Sequence, residues 1–260
     1  MTETSSEALV RLDVDDAIAT ITLDSPANRN ALSRRLLVEL VAHLATARDD
    51  ASVRGVVLTA TGTTFCSGAD LSDPPGRGEA SSVSLPKILT EMWRYPKPIV
   101  VRLNGHVRAG GIGLVAAADI VVAPVSATFA FTEVRIGVAP AVIAVVCARR
   151  MDPRSLARYT LTGERFDAAA AADAGLVTIV VDPDALDSAV ADLCGSIRQT
   201  EPNAVRATKD LLVRLPTMAL DDGLAWADEL SQRLFRSPAA EEGIRAFREK
   251  RQPSWAVAAR

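Results

Sequence analysis

Residues 104–119 read NGHVRAGGIGLVAAAD and follow PIVVRL at 98–103. The nearly unbroken apolar run PIVVRL predicts a buried strand, and Asn104-Gly105 ends it. From Gly110 to Ala118 the residues are small or aliphatic, which predicts a helix that opens on glycine. The same succession occurs earlier: the strand-like GVVLTA (55–60) leads into TFCSGADL (64–71). Small residues at such places let backbone N–H groups approach a ligand closely. A helix that starts near Gly110 adds its positive dipole end. Two N–H groups aimed at one spot make an oxyanion hole, although the same glycines serve equally well for tight turns alone. A rival pattern is Gly111-Ile112-Gly113-Leu114-Val115-Ala116, which fits GxGxxA, with Glu133 about 20 residues on. In a dinucleotide-binding unit the glycine follows its strand at once, within the first βα unit. Here residues 104–110 intervene and two strands and a helix come before, so that reading is set aside.

Outward from these two segments the chain alternates strand and helix. Ala8–Val14 and Ala17–Leu23 (AIATITL) predict a hairpin about Asp15-Asp16. DSPANRN (24–30) is a loop, and Ser33 is the predicted N-cap of a helix with Leu36, Leu37, Leu40, Val41 and Leu44 on one face. Residues 61–84 lack periodicity, and a loop that long in a compact domain is functional or mobile. A helix is predicted over 85–94, then short strands at 119–122 and 128–131. Beyond Val138 helices dominate, interrupted by one strand at 176–181. This order predicts an α/β core over 1–195 and a helical C-terminal region over 196–260.

The chain has 260 residues, 48% of them hydrophobic and 23% charged, with a net charge of −3. These values suit a globular chain with a sizeable core and exclude global disorder. Broad nucleic-acid binding wants a basic stripe that this composition does not supply. The longest apolar run, Ala141–Ala148, falls far short of the roughly 20 residues of a membrane span. Met1 to Leu12 has no basic flank and no apolar h-region, so no signal peptide is expected. Cys66, Cys147 and Cys194 are odd in number and widely spaced, which suggests neither a disulfide framework nor a zinc site. Two histidines, His43 and His106, cannot make a metal centre alone. The expectation is a cytoplasmic protein with no metal.

A third segment, FAFTEVRIGVAP (129–140), places Glu133 among apolar neighbours. Such a carboxylate is solvated, paired or functional.

Taken together, FCSGADL, NGHVRAGGIGLVAAAD and FTEVRIGVAP resemble the enoyl-CoA hydratase/isomerase (crotonase) superfamily. ATITLDSPANRNALS, LTGERFDAAAAADAGLVTIVV and EEGIRAFREKRQPSW are similar to its outer landmarks, so the resemblance spans nearly the whole chain. It implies a spiral of ββα units followed by trimerising helices, in a trimer or a dimer of trimers. It implies an acyl-CoA thioester as ligand, with coenzyme A part of the substrate and no other cofactor. Ala69 and Gly110 would donate to the thioester carbonyl. Cys66, Ser67, Gly68, Asp70 and Leu71 would lie along the coenzyme, as would Arg29, while Phe247 and Lys250 in the tail would reach it from a neighbouring subunit. Asp70 is also expected to hold its loop by bonding backbone N–H groups, and Cys66 to serve in packing or pantetheine contact.

Two departures stand out. Hydratases of this family carry two glutamates; the second matches Glu133, but the first falls on Gly113. Ala109 replaces the first member of a glycine triplet. Gly113 together with EVRIGVAPAVI resembles the 3-methylglutaconyl-CoA hydratase-like branch of leucine breakdown. One carboxylate still suffices for hydration: Glu133 takes a proton from water and returns it to the α-carbon. Phe129, Phe131, Val134 and Ile136 would raise its pKa, and Arg135, if close, would oppose that. A double-bond isomerase needs the same oxyanion hole and one base; a catalytically silent acyl-CoA binder is the remaining alternative.

Overall fold

The computed structural model describes residues 8–72 and 83–257. In chain order these form β1 (Val10–Asp15), β2 (Ile18–Leu23), α1 (Arg34–Asp49), β3 (Gly55–Ala60), β4 (Thr64–Cys66), α2 (Leu85–Trp93), β5 (Ile99–Arg102), β6 (His106–Arg108) and α3 (Gly110–Ala117). There follow β7 (Ile120–Pro124), β8 (Thr128–Ala130), α4 (Ala141–Cys147), α5 (Pro153–Thr162), β9 (Phe166–Asp167), α6 (Ala168–Asp173), β10 (Ile179–Val181), α7 (Leu186–Arg198), α8 (Pro202–Arg214), α9 (Leu220–Phe235) and α10 (Pro238–Arg248).

The hairpin β1–β2 forms as expected and turns through Asp16 and Ala17, both at positive φ. Ser33 caps α1 by accepting from Leu36 N–H, and Leu36, Leu40, Leu44 and Ala47 are its buried face. From β3 onward the chain repeats one unit. A strand joins the larger sheet, a second joins the smaller, and a helix closes the turn: β3-β4-α2, β5-β6-α3, β7-β8-α4. Strand orders β1-β2-β3-β5-β7-β10 and β4-β6-β8-β9 record that spiral. This is the expected architecture of ββα units.

The centre of the larger sheet is covered on both faces, so β3, β5 and β7 are almost continuously apolar. Val56, Leu58, Ile99, Val101 and Val121 face the main core with α1 to α3. The alternate residues Val57, Val100 and Val122 face Leu186, Val190, Cys194 and Ile197 of α7. The 195/196 division expected from sequence falls inside α7, whose residues on both sides of it pack on this one face.

The C-terminal helices are tied to the core by a buried ion pair. Lys209 of α8 reaches Asp119, whose carboxylate also accepts the Ile99 N–H. Arg54 donates to Trp255 O and so holds the tail back. Among the described residues no helix is long and apolar enough to cross a membrane, and no group of three or more His, Cys, Asp and Glu side chains could hold a metal ion. Of the aperiodic loop over 61–84, residues 73–82 lie outside the described residues.

Candidate active site

Two loops meet at the start of α3. In the first, Leu32 N–H donates to Gly68 O (2.8 Å) and Leu32 O accepts from Asp70 N–H (3.4 Å). This parallel bridge engages the residues on either side of Ala69. Because strand amides alternate in direction, the Ala69 N–H points away from Leu32. In the second loop Ala109 N–H is used by Ala130 O, whereas Gly110 opens α3 with an N–H that no earlier turn can accept. Neither the Ala69 nor the Gly110 amide has a hydrogen-bond partner among the described residues. The loops adjoin closely: a Cβ built on Gly68 would lie 3.4 Å from Gly110 N and 2.7 Å from the Ala109 Cβ. Gly68 has φ +95°, which favours glycine. Ala109 stands at φ 46°, ψ −124° with a methyl group in place. That strained residue directly precedes a free donor, a common setting for function.

Glu133 starts the short helical turn Glu133–Ile136. Its Oε2 is buried without a hydrogen-bond partner among the described residues. Burial raises its pKa above the ordinary glutamate value, and its own backbone N–H offsets part of the rise. The apolar surroundings differ from those expected. Phe129 and Phe131 are fully buried and stack on Phe166, but Val134 and Ile136 turn outward to solvent. Arg135 does not oppose the shift, because its guanidinium is aimed at Thr162 O (3.5 Å). The nearby buried group is Cys147 of α4, whose thiol is pushed up to about 12 by burial, with the Glu133 charge adding to the rise.

Gly113 lies one turn into α3, where a second glutamate would stand. A Cβ there would meet Ile143 Cγ2 at 2.6 Å and Leu89 Cδ1 at 3.3 Å. The room for the absent carboxylate is therefore taken by aliphatic side chains of α2 and α4. Ile143 and Cys147 lie one turn apart on α4, so this helix packs on α3 at Gly113 and senses the Glu133 charge one turn later.

Two amides left unused on adjoining loops and one buried carboxyl are the polar groups available here. Residues 13–257 match the family described as enoyl-CoA hydratase/isomerase. The chain belongs to this family. A putative enoyl-CoA hydratase of Thermus thermophilus is 36% identical over 244 residues, spanning 91% of this chain and 96% of that protein. The 2,3-dehydroadipyl-CoA hydratase of Escherichia coli is 32% identical, over 90% of this chain and 93% of its own. An enoyl-CoA hydratase structure from Mycobacterium smegmatis superposes with a TM-score of 0.89 at 32% identity, covering 96% of this chain and 99% of that one. The fold of the enoyl-CoA hydratase/isomerase family is thus the fold of this chain.

Other family-suggested positions are variously placed. Arg29 is exposed, with left-handed backbone, and its carbonyl accepts from Ser67 N–H at 3.1 Å. Asp70 Oδ1 accepts from the Ser72 N–H and hydroxyl, the loop-holding role expected of it. Leu71 is exposed. Cys66 is fully buried behind Gly111, a packing position, and its thiol is pushed up to about 12. Phe247 lies in the last turn of α10 and is 85% exposed, and Lys250 lies just past the helix at positive φ.

Sequence reasoning missed Asn30. It is fully buried, accepts from Ser25 N–H and donates to Thr61 O and Thr64 O, stitching both sides of the first loop together. A buried Asn in a polar loop segment carries no periodic signal. It also missed Ile143, which in the sequence is one more apolar residue in an apolar run.

Proposed function

We propose that the chain adds water to a 2-enoyl-CoA thioester, a hydro-lyase reaction that needs no cofactor beyond the coenzyme A of the substrate. The Ala69 and Gly110 amides hold the thioester oxygen and stabilise the enolate formed as water adds at the β-carbon. Glu133 takes the water proton and returns it to the α-carbon. The observation that carries this reading is the buried Glu133 Oε2, which has no partner among the described residues; burial raises the carboxyl's pKa, the direction that suits a group that must hold a proton as well as release one. Relatives named as CoA-ester hydratases support the class. Arg29, Cys66, Ser67, Gly68, Asp70 and Leu71 border the coenzyme in this reading, with Gly113 lining the acyl side. Phe247 and Lys250 would reach the coenzyme of a neighbouring subunit. Assembly as a trimer or dimer of trimers is part of the proposal, supported by exposed leucines such as Leu212, Leu220 and Leu224 on the C-terminal helices. A cytoplasmic setting suits three free cysteines. A place in leucine degradation rests on EVRIGVAPAVI alone.

Double-bond isomerisation is the second reading, favoured by the aliphatic filling at Gly113, which leaves one carboxylate to position water. Turnover of crotonyl-CoA, 3-methylglutaconyl-CoA and a 3-enoyl-CoA in oxygen-18 water separates the two. Labelled 3-hydroxyacyl-CoA from the wild type, lost in Glu133→Gln, supports hydration. Unlabelled 2-enoyl product from the 3-enoyl substrate moves the assignment to isomerase. Tight ester binding without turnover refutes both.

A further inference from the structure

Helices α2, α3 and α4 touch in matching order along their lengths, with the start of α2 at Gly110, the first residue of α3. Leu85 of α2 lies 3.5 Å from a Cβ built on Gly110, Leu89 and Ile143 both pack at Gly113, and the Arg150 guanidinium sits 4.4 Å from the Trp93 ring while donating to Ala116 O. Matching levels on three helices thus step away from the donors in register. Along the outer seam of α2 and α4, closed on its far side by α8, runs a cleft of about 680 Å³. It starts at Pro86 and Val142, in the first turns of α2 and α4, and its floor is Leu89, Trp93, Val146 and Val213. Its distal rim carries Arg94, Arg149 and Arg214.

These three cations are poorly compensated. Arg94 has no side-chain hydrogen bond or ion pair among the described residues. Arg149 donates to the Val145 carbonyl, which leaves its charge unpaired. Arg214 alone has an acidic partner, Asp210, half-exposed beside it. Glu91, the one carboxylate of α2, is engaged by Arg48 on a different side of the helix. An apolar trough that ends in surplus guanidinium charge is complementary to an alkyl chain that ends in an anion.

We propose that this cleft is the distal acyl subsite and that it selects CoA esters whose acyl group ends in a carboxylate, read by Arg94 and Arg149. The proposal rests on the acyl-CoA reading above and adds the substrate class to it. Leu85 to Arg94 is nine residues of helix, about 13 Å along the axis. The long arginine side chains reach back along the seam, so medium-length chains are the ones that span it.

The test uses saturated esters, which bind but cannot be hydrated: octanoyl-CoA against suberyl-CoA, and hexanoyl-CoA against adipyl-CoA, titrated calorimetrically into the full-length protein. The carboxylate-ended ester of at least one pair should bind about tenfold more tightly at low salt, the worth of one charge-assisted hydrogen bond. That advantage should shrink at high salt. In Arg94→Gln/Arg149→Gln the ratio should fall to near one, and Arg94→Lys/Arg149→Lys should restore part of it. Equal binding of both esters of each pair by the wild type, or a preference that survives in the Gln variant, overturns the arginine subsite while leaving the acyl-CoA reading intact. Failure of any CoA ester to bind overturns both. Both arginines are exposed, and octanoyl-CoA binding by the variants reports that they fold.

Discussion

Ala109→Gly should stabilise the protein, although it removes atoms. The wild-type residue sits at φ 46°, ψ −124°, where an L side chain is strained; such positions cost roughly 1–3 kcal/mol. Glycine removes that strain but adds about 0.4–1 kcal/mol of unfolded-state entropy. The lost methyl is half-buried, worth about 0.4 kcal/mol from the usual value for a buried carbon. With a mid-range strain of about 2 kcal/mol, the balance is about 1 kcal/mol in favour of glycine, or a melting temperature about 2–4 °C higher. The geometry makes a second, sharper demand. The Ala109 methyl lies 2.7 Å from where a Gly68 Cβ would be, so Gly68→Ala suffers both its own positive φ and that clash. In the Ala109→Gly background the clash is gone and only the backbone strain persists. A double-mutant cycle by urea unfolding should therefore show coupling of about 1–3 kcal/mol, the usual price of overpacking. A melting temperature that falls by more than 2 °C in Ala109→Gly, or two substitutions that simply add, would refute this account of the loop junction.

Glu133→Gln should slow turnover about 100- to 10,000-fold, the usual range for a lost acid–base group, read as kcat with binding of a saturated ester retained. It should also raise the melting temperature at neutral pH. The folded-state pKa of Glu133 is raised, so the wild type is relatively stable below the ordinary glutamate pKa and loses that stability as pH rises through the folded value. The gap between variant and wild type should accordingly widen from pH 4 to pH 8; a gap that is constant or narrows contradicts the burial. Gly113→Glu, which restores the family's other carboxylate, should destabilise by about 3 kcal/mol because its Cβ collides with Ile143. Adding Ile143→Ala should recover part of that loss in thermal melts. Lys209→Met leaves Asp119 partly buried without its cation and should cost about 2 kcal/mol, seen as faster hydrogen exchange in α8.

Several elements were legible before any coordinates. The β1–β2 hairpin, the Ser33 cap and the buried strands β3 and β5 follow from local patterns: period two, a capping hydroxyl before an apolar face, continuous β-branched runs. Strands β6 and β9 were not. They have three and two residues, too few for a period to show, and they exist because β8 offers backbone partners to both. The second strand of the middle turn, β6, therefore hides from the sequence although its first strand, β5, does not. Val134 and Ile136 show the opposite error: apolar residues beside Glu133 in sequence point away from it, because a tight helical turn sends neighbours to different sides.

The sequence alone determined the family, the alternation of strand and helix, the lone glutamate and the glycine where its companion would stand. These are properties of residue identity and spacing, which survive without coordinates. Only the tertiary structure decided that the companion's place is filled by Ile143 and Leu89, and that, among the described residues, the Glu133 Oε2 is buried without a partner and the Ala69 and Gly110 amides are left unused on adjoining loops. Each of these depends on what a distant segment brings within a few ångströms, and on which hydrogen bonds the intervening backbone has already used. Burial, and with it the raised pKa on which the chemistry turns, is a property of neighbours rather than of the residue itself.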